Sequence, residues 1–185
     1  YVGEKQLVAV PVFTDLSKND ISKKIIESLT DRFTTNLVQT GRFSVVERTR
    51  LNEILKEHEL AMTGVLTESS AVKLGRLAQA PYIVLGTVNH MNVETKSYLD
   101  DTVFGYSRAT IKVTLTLRVI STTTGASVAA ATVTHEAAKY DIRVSGDSSN
   151  QFKFGDNVAS NDNPVMEEVL NAAEKLADEL YKQKF

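Results

Sequence analysis

The chain has 185 residues, 42% of them hydrophobic and 24% charged, with a formal net charge of −2 and a pI near 6.0. That is enough apolar chain for one folded core, and the charge balance excludes a general electrostatic draw toward nucleic acid or an acidic membrane surface. The absence of cysteine removes disulfides, thiolate metal sites and cysteine nucleophiles together.

In chain order, LVAVPVF (Leu7–Phe13) is a continuous apolar run of strand length, the pattern of a strand covered on both faces. TDLSKND then turns the chain. Ile21, Ile25, Leu29, Phe33 and Leu37, flanked by Ile26 and Val38, recur at helical spacing, with Asn19 or Asp20 to cap the start and Gly41 to end it in a left-handed turn. RFSVVE is a second strand. A helix from Thr49 to about Leu60 follows, with Leu51, Ile54, Leu55 and the candidate His58 toward the core. TESSAVKLGRLAQA is a further helix capped at Thr67, and Pro81 closes it before the buried strand YIVLGTVN.

The second half changes character. Ala109, Ile111, Val113, Leu115, Leu117 and Val119 alternate strictly with Thr110, Lys112, Thr114, Thr116 and Arg118, which marks a strand with one wet face. STTTGAS is a turn, and VAAATVTH returns antiparallel to that strand. AAKYDIRVSGDSSNQFKFGDN reads as a hairpin or a flap: Tyr140, Ile142 and Val144 alternate with polar residues, SGDSSN supplies turn residues, and Phe152 and Phe154 alternate on the way back. The last helix has Asn163 as cap, Pro164 at its first position, and Glu167 and Glu168 at its positive end. These elements predict a single domain over residues 1–185 of the α/β (α+β) class. Its scaffold is three-layer-like, with a mixed sheet, helices packed on it, antiparallel strands in the second half and a C-terminal helix.

Little in this pattern carries chemistry. Only His58, His90 and His135 could serve a nucleophilic triad, no G-x-S-x-G elbow is present, and no two histidines share a helix face at metal-binding spacing. DLSKND lacks the calcium-loop glycine and terminal glutamate, and the adjacent acids of Leu99–Asp101 read as solvated loop residues. The first strand-to-helix turn has no glycine to cradle a phosphate, so no catalytic, metal or cofactor site is expected. The basic residues of ERTRLNEILKE are interleaved with acids, as on an ion-paired solvent face. No apolar run approaches the ~20 residues of a membrane-spanning helix. The start at Tyr1 without methionine suggests a trimmed or mature form, with any export signal or lipid-carrying cysteine upstream.

The words VAVPVF…ISKKIIESLTDRFTTNLVQTGRFSVVERTRLNEILKEHELAMTG, then AVKLGRLAQAPYIVLGTV, resemble the curli-production assembly and transport (CsgG) family of bacterial envelope lipoproteins. VTLTLRVISTTTGASV and SNDNPVMEEVLNAA are similar to the family's later strand–turn–strand segment and closing helix. The resemblance implies a lipid-anchored domain on the periplasmic face of the outer membrane, assembling with itself or with other envelope proteins. Two roles follow from it: a non-enzymatic scaffold or adaptor, or a protomer of an oligomeric curli-like secretion channel. TDLSKND is shorter than the loop that narrows the pore of the channel-forming relative and has no aromatic, so no constriction residue carries over. The candidate interaction surfaces are Arg48, Arg50, Glu53 and Glu57 on the second helix, and Tyr140, Ile142, Val144, Phe152 and Phe154, which could meet a partner or a membrane. In the channel reading, residues 92–108 and 137–157 become barrel hairpins.

Overall fold

The computed structural model describes residues 3–60, 66–99, 104–144 and 164–185. Its elements run β1 (Gln6–Ala9), β2 (Thr14–Asp15), α1 (Lys23–Gln39), β3 (Phe43–Val45), α2 (Arg48–Glu57), α3 (Glu68–Leu77), β4 (Tyr82–Leu99), β5 (Phe104–Ser121), β6 (Ser127–Val144) and α4 (Pro164–Lys182). The sheet order is β3-β1-β4-β5-β6, with β2 pairing β4 separately. β1 pairs in parallel with β3 and β4, whereas β4, β5 and β6 are successively antiparallel. The mixed sheet, its antiparallel second half and the C-terminal helix are as the sequence predicts.

Neighbouring residues on one strand pack into different cores, which is the signature of a sheet covered on both sides. Val8, Val84 and Val119 join α1 and α4 through Leu29, Phe33, Ala173 and Leu176. Ala9, Ile83 and Ile120 face α2 and α3 through Leu51, Ala71 and Leu74. The layers are therefore α1 with α4, then the sheet, then α2 with α3. Gly86 lies under the Phe13 ring, which a Cβ there would meet at 2.3 Å. That ring cannot retreat, since it is buried and packs edge-on against Phe33 with centroids 5.3 Å apart.

Local signals fix the ends. The cap of α1 is Ser22 rather than Asn19 or Asp20, its side chain accepting from the Ile25 amide. Residues before it are used elsewhere: Asp15 Oδ1 accepts from the Ser17 amide and hydroxyl, Asp15 Oδ2 accepts from the Ile21 amide, and the Asn19 side-chain amide donates to the Met91 carbonyl. Thr67 caps α3 as expected, accepting from the Ser70 amide at 3.3 Å. Gly41 ends α1's connection at φ +74°, and Pro164 opens α4. Arg42 is buried and donates to the carbonyls of Tyr181 and Gln183, so the end of α4 is tied to the start of β3.

The larger departure lies in β4, β5 and β6. Each is 18 residues long, about 60 Å at the usual rise, against a common strand length of about five or six. Residues 92–108 lack clean alternation, yet β4 and β5 stay paired out to Leu99 opposite Gly105. Residues 137–144, expected to begin a separate hairpin, continue β6 and pair with β5 out to Phe104 opposite Val144. Phe152, Phe154 and Asn163, like Asp100 and Asp101, lie outside the described residues. A register shift between Val88 and His90 coincides with the end of β2 pairing, where Asp15 lies opposite Val88. Beyond Ala109, the last buried core-side residue of β5 in that direction, the three strands continue as an antiparallel arm.

Candidate functional site

The histidines were the first candidates for chemistry, and their surroundings separate them. His58, expected toward the core, is instead exposed at the end of α2, because the helix stops one residue earlier and the chain turns away. His90 is also exposed, on β4 just past the bulge. His135 is different. Its side chain is 11% exposed, its Nε2 lies 2.6 Å from Glu168 Oε2, and Lys175 Nζ lies 2.8 Å from its Nδ1. Both ring nitrogens are thus engaged by protein groups. Among the described residues no three His, Asp or Glu side chains come close enough to hold a metal ion.

Glu168, 5% exposed in its side chain, is the centre of this cluster. Lys139 Nζ approaches Glu168 Oε1 at 2.8 Å and Glu167 Oε2 at 3.0 Å, and Asn171 Nδ2 donates to Glu168 Oε2 at 3.3 Å. Burial alone would push the Glu168 carboxyl up. The hydrogen bonds from Lys139, His135 and Asn171, with the lysine charge, outweigh it and hold the group down at about 2. The same contacts, Glu168 first and then Glu167, raise Lys139 above the ordinary lysine value. The sequence shows Glu167 and Glu168 only as residues of a helix start. No local signal pairs them with β6, because the partners are some 30 residues away.

Among the residues expected on an interaction surface, Arg50, Glu53 and Glu57 are exposed on α2. Arg48 is half-buried and bound to Asp31 of α1 at 2.7 Å, so it braces two helices. The backbone register of the arm gathers the second set with residues the sequence left apart. Tyr98, Tyr106 and Ile142 share one rung; Lys96, Arg108 and Tyr140 share the next; Phe104 lies opposite Val144. By the two-residue period these positions belong with Thr114 and Thr134, the sheet face opposite the α1–α4 core. That face is polar nearer the bulge, with Lys112, Thr134 and Glu136 exposed. A shallow groove of about 150 Å³ opens on the same face where the α2–α3 layer stops. Val12, Leu16, Leu66 and Leu85 line it beside Thr116 and Arg118, and Leu16 is 53% exposed. Four separate stretches build this groove, which is why no sequence motif announces it.

A family model described as the curli production assembly/transport component CsgG matches residues 3–185. No curated protein matches the chain in sequence. Among solved structures, the chain is similar to lipoprotein GNA1162 from Neisseria meningitidis, with a TM-score of 0.53 and 11% identity over 72% of this chain and 83% of that one. It is similar to the LpoB C-terminal domain from Escherichia coli, with a TM-score of 0.52 and 14% identity over 70% of this chain and 81% of that one. The PelC dodecamer from Paraburkholderia phytofirmans gives a TM-score of 0.51 and 15% identity over 97% of this chain and 90% of that one. At these identities the likenesses speak to the shared fold.

Proposed function

The chain belongs to the CsgG family of curli production assembly/transport components, and from that premise we propose that it is a non-enzymatic cell-envelope lipoprotein. It acts as a single-domain scaffold or adaptor, tethered to the periplasmic face of the outer membrane and docking on other envelope proteins. The observation that supports this most is the arm. Three paired strands leave the body and end in rungs that carry Tyr98, Phe104, Tyr106, Tyr140, Ile142 and Val144, next to Lys96 and Arg108. Aromatic residues and arginine gathered at one place on a sheet are what protein interfaces favour. α2, with Arg50, Glu53 and Glu57, is the second docking surface. Neither needs a cofactor, and the net charge of −2 offers nothing to nucleic acid.

A photo-crosslinking amino acid placed at position 106, and separately at position 53, in the full-length lipidated protein in its own cell envelope tests this. Crosslinks from position 106 to a defined envelope protein, lost when Tyr98 and Ile142 become serine, are expected. Crosslinking from neither position would sink the docking reading.

A second reading, the protomer of an oligomeric secretion channel, is favoured by one feature: residues 92–99 and 104–108 belong to two long strands paired antiparallel, on a fold shared over 97% of the chain with a protein that assembles as a dodecamer. Light scattering on the detergent-extracted lipoprotein separates the two. A closed ring of many copies supports the channel, and a monomer or small oligomer supports the adaptor.

A further inference from the structure

We propose that His135 is a proton-operated clasp between α4 and β6. An ammonium has donors and no lone pair, so the 2.8 Å contact from Lys175 Nζ obliges His135 Nδ1 to accept. The ring proton then sits on Nε2 and is donated to Glu168 Oε2 at 2.6 Å. One neutral imidazole thus bridges a cation and a carboxylate about two turns apart on the same helix. A second proton can enter only at Nδ1, where it would point N–H at N–H, cation against cation. Taking it up therefore expels Lys175, while the bond to Glu168 strengthens.

The charged groups around the ring decide that direction. From α4 they are Glu167, Glu168 and Lys175, with the neutral Asn171; from β6 there is Lys139. β5 presents the buried apolar residues Ile111, Val113 and Leu115 on that side and adds no charge. Lys139 already holds both carboxylates, so the freed Lys175 has no acid of this cluster to turn to. Protonation would thus tighten the start of α4 on β6 and loosen its middle. Because His135 lies opposite Val113 on the part of β6 that α4 covers, two core-side rungs before the buried Ala109 opposite Lys139, the shift bears on the stretch of β6 that leads into the arm. Only that last consequence rests on the arm being a docking element.

The test is nuclear magnetic resonance on the whole chain, reading the His135 ring nitrogens, the Lys175 ammonium and the backbone amides of β6 from neutral to acid pH. The expected result is the Nε2–H tautomer at neutral pH, with loss of the ordered Lys175 ammonium signal as the ring takes its second proton. The amides of residues 135–139 should shift in step. His135→Gln keeps a donor toward Glu168 and an acceptor toward Lys175 but cannot titrate, so its Lys175 signal should persist into acid. An Nδ1–H tautomer, or a Lys175 signal unmoved by ring protonation, would overturn the clasp. Should H135Q not fold, Lys175→Met gives the second arm: α4 amides near residue 175 should stop following the ring's titration, and unchanged following would refute the proposal. No partner enters these signals, so the clasp and the docking function can fail separately.

Discussion

Along β4, β5 and β6 the same three strands are written in two ways. Under α1 and α4, the positions of one parity are Ile111, Val113, Leu115 and Leu117, all fully buried, and those of the other are threonines and charges. Toward the far end the parities exchange character. Ser97, Ser107 and Asp141 occupy the rung that continues the core side, while Tyr98, Tyr106 and Ile142 occupy its neighbour. A strand pair holds its register through backbone hydrogen bonds whatever its side chains, so apolar residues are free to change face where none of the described helices packs on the sheet. The body is specified by burial under its helices, and in the docking reading proposed above the arm's apolar positions are the ones a partner would cover.

Substitutions that remove core contacts should separate the two regions most sharply. Leu115→Ala, at a fully buried position, should destabilise by about 3 kcal/mol, whereas Tyr106→Ser should change stability by less than about 1 kcal/mol. Urea unfolding of both variants decides it, and equal losses would mean that the arm is part of the cooperative core. The next effect tests the seam between the regions. Glu168 is held at about 2 instead of 4.5, so its contribution is fully present above pH 4.5 and drains away as the pH falls toward 2. At neutral pH Glu168→Gln should cost on the order of 2 kcal/mol, and most of the gap to the parent should have closed by about pH 3. A gap that stays constant with pH would show that the charge is not what matters.

That seam explains how much of the molecule the sequence could reveal. Strict periodicity made α1, the two-faced β1 and the alternating stretch from Ala109 to Val119 legible, because each is defined by which neighbours it buries. The cap at Ser22 was misplaced by two or three residues, since Asn19 and Asp20 are equally good cap types and only the tertiary bond to Met91 shows one of them engaged. The extension of β4 past Asn89 was hidden because its residues are chosen for pairing and not for burial. His135 looked like an ordinary strand residue, and its partners on α4 became visible only once the helix was laid on the sheet. Arg48 was read as surface for the same reason: Asp31, which binds it, belongs to another helix.

Smaller effects refine the contrast. Ser22→Ala removes the side-chain acceptor for the Ile25 amide and should cost α1, hence the body, about 1 kcal/mol in thermal or urea unfolding. Asn19→Ala and Asp20→Ala should not reproduce the loss of a cap, and a larger effect from either would reassign the helix start.

The smallest expected change concerns the arm's polar root. Thr114 and Thr134 lie opposite each other with hydroxyls 3.1 Å apart, and Thr116 and Thr132 repeat the arrangement at 3.1 Å one rung closer to the body. Cross-strand threonine pairs are worth a few tenths of a kcal/mol beyond alanine, and these are solvated enough for water to replace the lost bond. Replacing Thr114 and Thr134 together by alanine should therefore shift stability by no more than about 0.5 kcal/mol. If instead the double variant loosens the strands as far as Leu99 and Gly105, seen as faster amide exchange along the arm alone, the threonine rungs hold the register there. In that case the arm would have an internal fastening of its own, independent of the helices that cover the body.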